Sequence, residues 1–185
     1  MPSTFRTYGP FELPPQSDGG RSLIDTWRNN RGLRSGIGVY IVAEKRGSTY
    51  LPWYVGKSDR GFGSRLQNHS VFKSLPSHLT HKSVYIFLIA RVTTKRHTII
   101  RSKARYIERS DGDTRMERKK LRSVAHLEYE LIGTCRVLNS ELLNFQLKKF
   151  QEGLHVPGYI GDSQAQLDAP SLALSAMLKP GKLKD

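Results

Sequence analysis

Cysteine is nearly absent from this 185-residue chain: Cys135 stands alone, which excludes an intramolecular disulfide and any cysteine-built zinc site. Acidic residues are scarce too. Sixteen Asp and Glu face thirty Lys and Arg, leaving a formal charge of +14 and a pI near 10.1. Such an imbalance favours a polyanionic partner, nucleic acid ahead of anionic lipid. No apolar run approaches the roughly eighteen residues of a membrane span, and the first residues carry no apolar signal-peptide core. The expectation is a cytoplasmic protein with no membrane partner. No internal repeat is visible, and the length suffices for one buried core with extensions.

What the chain does have is a pair of related runs, Gly38-Val39-Tyr40-Ile41-Val42 and Trp53-Tyr54-Val55-Gly56-Lys57. β-Branched and aromatic residues fill both, and Lys45, Arg46, Gly47 and Ser48 lie between them, so a hairpin is predicted with Tyr40 and Tyr54 on adjacent strands. Ahead of it, residues 1–20 carry Pro2, Pro10, Pro14, Pro15, Gly19 and Gly20 and read as a loop-like arm. Ser22 caps a short predicted helix through Trp27, and Arg31 and Arg34 follow before the hairpin. Past Lys57 a turn leads into a helix start at Ser64–His69, where Arg65 and His69, four apart, share one face. Val84–Ala90 is almost uniformly apolar and predicts a central strand.

From Arg91 to Arg122, twelve Lys or Arg stand against four acids. The segment reads as an insertion whose cations track a phosphate backbone, with a solvated loop as the alternative. Arg60, Lys95, Arg96, Arg101, Lys103 and Arg105 are the candidate contacts. A helix is predicted from Thr114 to Arg136, with Leu121, Val124, Ala125, Leu131, Ile132 and Cys135 on its apolar stripe. Glu128 completes that stripe. A carboxylate there needs a cation, hydrogen bonds or a metal. His126 and Glu130 fall off the stripe and read as surface residues. A second helix is predicted over Ser140–Gln151, and Leu167–Asp185 reads as a peripheral tail.

Together these parts resemble the GIY-YIG nuclease superfamily across roughly residues 36–145. The match runs through Gly38-Val39-Tyr40, Tyr54-Val55-Gly56, Arg65 on the next helix, Glu128 before Leu131-Ile132, and Asn139 after Leu138. Lys57 directly after Gly56 is similar to the family, and His69 four residues past Arg65 is similar to its restriction-endonuclease branch. The interval from Glu128 to Asn139 is one residue shorter than the family pattern, which leaves Asn144 as an alternative to Asn139. The resemblance implies a small α/β fold, a mixed and largely antiparallel three-stranded sheet flanked by helices. It divides the chain into an arm at 1–35, a nuclease domain at 36–150 with a basic insertion at 91–122, and a tail at 151–185.

The activity implied is that of a divalent-metal-dependent DNA endonuclease, restriction-type on duplex DNA, with a homodimer as one way to cut both strands. Repair, recombination or mobile-element nucleases are alternatives, as is a binding module that has lost catalysis. Glu128 would hold Mg²⁺ or Mn²⁺, and Arg65 would fork onto the scissile phosphate. Tyr40 would take the proton of the attacking water if a cation such as Lys57 lowered its pKa. Tyr54 and His69 would orient water or phosphate. His69 and Lys57 remain alternative bases.

Overall fold

A computed structural model describes residues 3–13, 30–67, 75, 77–79, 82–101, 114–144, 154–156 and 168–178, with the backbone alone at 67, 78, 114–120, 154 and 155. The predicted helix at Ser22–Trp27 lies outside the described residues.

The fold is a mixed α/β sheet with helices on both faces. Five strands run through it: β1 (Ser3–Leu13), β2 (Gly38–Arg46), β3 (Thr49–Ser58), β4 (Val84–Val92) and the two-residue β5 (Leu154–His155), in the order β3-β2-β4-β1-β5. The first four are antiparallel to their neighbours, and β5 joins β1 in parallel. The helices are α1 (Arg31–Arg34), α2 (Phe62–Gln67), α3 (Thr114–Leu138) and α4 (Ala169–Leu178).

Four antiparallel strands replace the expected three because the arm is itself a strand. Phe5 is buried in the core on one side of the sheet and Leu13 in the core on the other, and Gly9, with φ +101°, falls with Pro10 at the register shift between Tyr8 and Phe11. The two loop-forming residues are absorbed at that irregularity instead of ending the strand. Two further expectations are corrected at the other end. Ser140–Asn144 is not helical, since α3 stops at Leu138 and the chain turns along β3. The tail contains α4, capped by Asp168 Oδ1 on Ser171 N–H, with Leu174, Met177 and Leu178 buried in the main core.

The strand at Val84 is central as expected, and it is apolar on both sides because both sides are covered. On one face Val39, Ile41, Val55, Phe87 and Ile89 pack against Val124, Leu127, Leu131 and Cys135 of α3. On the other, Tyr40, Val42, Ile86 and Leu88 meet Leu33 of α1 and Phe62 and Leu66 of α2. Each fully buried aliphatic side chain contributes about 1.5–3 kcal/mol. The α3 stripe differs in detail from the predicted one. Leu127 is fully buried, whereas Leu121 is exposed.

β3 forms one outer edge of the sheet. Pro52 is tolerated there, on a strand with one unpaired side. The segment after α3 covers that side: Asn139 Nδ2 donates to Pro52 O at 2.8 Å and Leu143 N–H to Trp53 O at 3.0 Å. Asn144 Oδ1 accepts from Val55 N–H while its Nδ2 donates to Val55 O, both at 2.7 Å. Edge groups that would otherwise recruit another chain are thus satisfied internally.

Candidate active site

Strand register decides which side chains meet at this edge. Tyr40 lies opposite Gly56 and Val42 opposite Tyr54. Residues directly opposite project from the same face, so the two tyrosines converge on the α1–α2 side with ring centroids 6.0 Å apart. A Cβ at position 56 would stand 2.5 Å from Tyr40 Oη and 2.7 Å from Tyr54 Cε1, so only glycine lets both rings sit there.

Lys57 is one residue on and therefore points to the opposite, α3 side. Glu128 meets it from α3. Glu128 Oε1 accepts from Lys57 N–H at 2.9 Å, and Oε2 lies 3.6 Å from Lys57 Nζ. The cost of placing a carboxylate on the buried side of α3 is offset by a backbone hydrogen bond and an ion pair, two of the three routes open from sequence. Its side chain is 14% exposed, with one oxygen committed to the strand amide and the other facing the Lys57 ammonium. Burial pushes the carboxyl above its usual range, and Lys57 and Arg65 pull it back without cancelling the rise.

Arg65 is exposed on α2, held by the burial of Phe62 and Leu66 on either side of it. Its charge acts on the Glu128 carboxyl and on the Tyr40 phenol, opposing the rise in both. One cation therefore acts on both the tyrosine face and the carboxylate. The expected lowering of the Tyr40 pKa is corrected: burial drives the phenol upward, Tyr54 adds to the rise, and Arg65 only opposes it. Lys57 does not assist, since it faces the other side and is engaged with Glu128. His126, read as a surface residue, is half-buried, and burial with the nearby Arg122 lowers its pKa.

The structure brings Tyr40, Tyr54, Lys57, Arg65 and Glu128 to one end of the hairpin. Asn139 is placed differently. Its Nδ2 is given to Pro52 O and its Oδ1 accepts Glu141 N–H at 3.0 Å, while Asn144 spends both ends on Val55. Both asparagines act on the strand that carries Tyr54, and hold it. Of the proposed backbone contacts, Arg60, Lys95, Arg96 and Arg101 are exposed. His69, Lys103 and Arg105 lie outside the described residues. Sequence reasoning left Arg34 without a role, although Gly63 in the next helix is the signal that something packs close there.

Among the described residues no group of three or more His, Cys, Asp or Glu gathers. A divalent cation would therefore take one protein ligand, Glu128 Oε2, and fill its other positions with water and phosphate oxygen. Such a donor set suits a hard ion of the Mg²⁺ or Mn²⁺ type. Among the described residues no helix is long and apolar enough to cross a membrane. No protein-family model, curated protein or solved structure matches the chain.

Proposed function

We propose that the chain is a divalent-metal-dependent endonuclease that hydrolyses phosphodiester bonds in duplex DNA, in the manner of a restriction enzyme. The observation that carries this is the convergence of Tyr40 and Tyr54, ring centroids 6.0 Å apart, at the strand end where Lys57 N–H docks Glu128 at 2.9 Å, with the exposed Arg65 charge acting on both the phenol and the carboxylate. A phosphate held by the planar guanidinium fork would lie between the phenols and the carboxylate. Tyr40, kept protonated by burial, donates a hydrogen bond to the phosphate or to the water. Tyr54 supports it from the neighbouring strand. The bound cation would supply charge neutralisation at the departing 3′ oxygen. Lys57 holds Glu128 in place from the resting state and balances its charge. The general base is then His69 in preference to Tyr40, since an imidazole titrates near neutral pH and a phenol with a raised pKa does not.

Glu128→Gln tests the reading. The amide oxygen can still accept Lys57 N–H, so the strand stays docked, yet the charge is gone. Cleavage in Mg²⁺ should be lost while DNA binding persists. Undiminished cleavage would remove Glu128 from the metal site. Digestion of a plasmid to discrete fragments supports the restriction-type form. Cutting confined to branches or flaps would assign the same residues to repair or recombination.

A further inference from the structure

Cations in this molecule fall into two groups. One group is paired: Arg46 and Lys82 flank the buried Glu44 at 3.1 and 2.9 Å at the far end of β2, and Arg6 on β1, two strands across the sheet from β2, meets Asp168 at 3.5 Å. Around the candidate site, Arg31, Arg34, Arg60, Arg65 and Arg101 are all exposed and make no ion pair among the described residues. These five arginines outnumber Asp59 and the Lys57-paired Glu128 beside them, which leaves a net positive field on this side of the molecule.

Packing gathers three of these arginines, Arg31, Arg34 and Arg101, about α1. α1 is wedged between α2 and the segment ending at Arg101. On one side Phe62 N–H donates to Gly36 O at 3.1 Å, and on the other Gly36 bridges Arg101 while Ile37 N–H donates to Ile100 O at 3.0 Å. The Arg101 Nη2 lies 3.9 Å from where a Cβ on Gly32 would stand. Arg34 crosses α2 at Gly63, where a Cβ would stand 2.5 Å from its Cγ and 3.2 Å from its Nε. The absence of a side chain at Gly63 lets the Arg34 stem lie against α2, the helix that also carries Arg65. Arg31 and Arg34 share one face of α1 by their spacing.

We infer that α1 is a phosphate-tracking element: Arg34 extends the Arg65 clamp to a neighbouring phosphate, and Arg31 and Arg101 continue the track along a duplex DNA backbone. The inference rests on the nuclease reading for its choice of polyanion. Phosphate contacts of this kind position a duplex without reading its sequence.

The test is binding of a fluorescent DNA duplex without divalent metal, as a function of salt, for the full chain, Arg31→Gln/Arg34→Gln and Arg6→Gln. Loss of two phosphate contacts should flatten the slope of log K against log salt by about 1.8 and weaken binding about sixtyfold near 0.1 M salt. Arg6→Gln, on the paired side, should leave the slope unchanged. Gly63→Ala should reproduce part of the loss by displacing the Arg34 stem. An unaltered slope in the double variant, an equal loss in Arg6→Gln, or no measurable binding by the unaltered chain overturns the inference. Because no cleavage is read, a failure of this slope is separable from retained cleavage in Glu128→Gln, which would strike the nuclease reading instead.

Discussion

Asn144 offers a measurement that separates holding a strand from doing chemistry. Its amide reproduces, in one side chain, the two hydrogen bonds that a further strand would make with Val55, each at 2.7 Å. Each bond contributes about 0.5–1.5 kcal/mol net, and a buried backbone group left unpaired costs about 1–3 kcal/mol. Val55 is fully buried, so Asn144→Leu should cost about 2–4 kcal/mol. At about 2–4 °C per kcal/mol for a chain of this size, Tm should fall by about 4–16 °C. Asn144→Asp keeps the acceptor but sets a carboxylate oxygen against the Val55 carbonyl, and should cost at least as much. Circular dichroism melts give the stability, and cleavage measured well below both transitions gives the activity. A residue that only pins β3 should lose activity in proportion to its unfolded fraction and regain it on cooling. One that touches the phosphate should stay slow when fully folded. An unchanged Tm in Asn144→Leu refutes the edge-pinning argument outright.

Three more outcomes follow from the same geometry. Because burial raises the Glu128 pKa in the folded chain, its contribution to stability is fully present below the ordinary glutamate value of about 4.3 and is lost as pH rises through the folded value. Without divalent metal, the stability of the unaltered chain relative to Glu128→Gln should therefore decline across that window, and parallel pH profiles in chemical denaturation would contradict the burial argument. Gly56→Ala places a methyl against Tyr40 Oη and Tyr54 Cε1, so it should cost about 1–3 kcal/mol by denaturation and abolish cleavage. Arg91 has its Nε and Nη1 buried without an acceptor among the described residues and only Nη2 bonded, to Ser3 Oγ at 3.2 Å. Arg91→Met should be neutral or stabilising in a thermal melt, and a fall of several degrees would reveal a compensating partner.

Much of this arrangement was legible in the residues. Alternation and a Gly-containing turn located the β2–β3 hairpin, and the uniform apolarity of Val84–Ala90 put β4 in the middle of the sheet. Period and parity then follow: once Tyr40 lies opposite Gly56, the two phenols must share a face and Lys57 must take the other. What misled was local chemistry overruled by context. Gly9 and Pro10 signal a loop, but they fall at a register shift within β1, where a ladder tolerates both. α4 carries small residues, and its burial depends on the shape of the core it fills.

The buried side of α3 shows why a costly residue can be found in a sequence while its solution cannot. Glu128 on an apolar stripe announces a carboxylate that must be compensated, and that much needs only the helical period. Which compensation operates depends on β3 being an edge strand with outward amides, and on what else covers that edge. Leu142, Leu143, Phe145, Leu147 and Phe150 read as the core residues of a helix over Ser140–Gln151, yet Asn139 and Asn144 are worth more as strand partners than as helix residues. An amide side chain in a helix has mostly water to bond, whereas against an edge it closes a buried donor and acceptor at once. The chain therefore leaves α3, runs along β3 and pins Pro52, Trp53 and Val55, which leaves Lys57 N–H as the next outward amide along that edge for Glu128. The strand that carries Tyr54 is in this way fixed on its outer side by the same helix that supplies the carboxylate, so the spacing between phenols and carboxylate is set by edge hydrogen bonds that no periodicity reports.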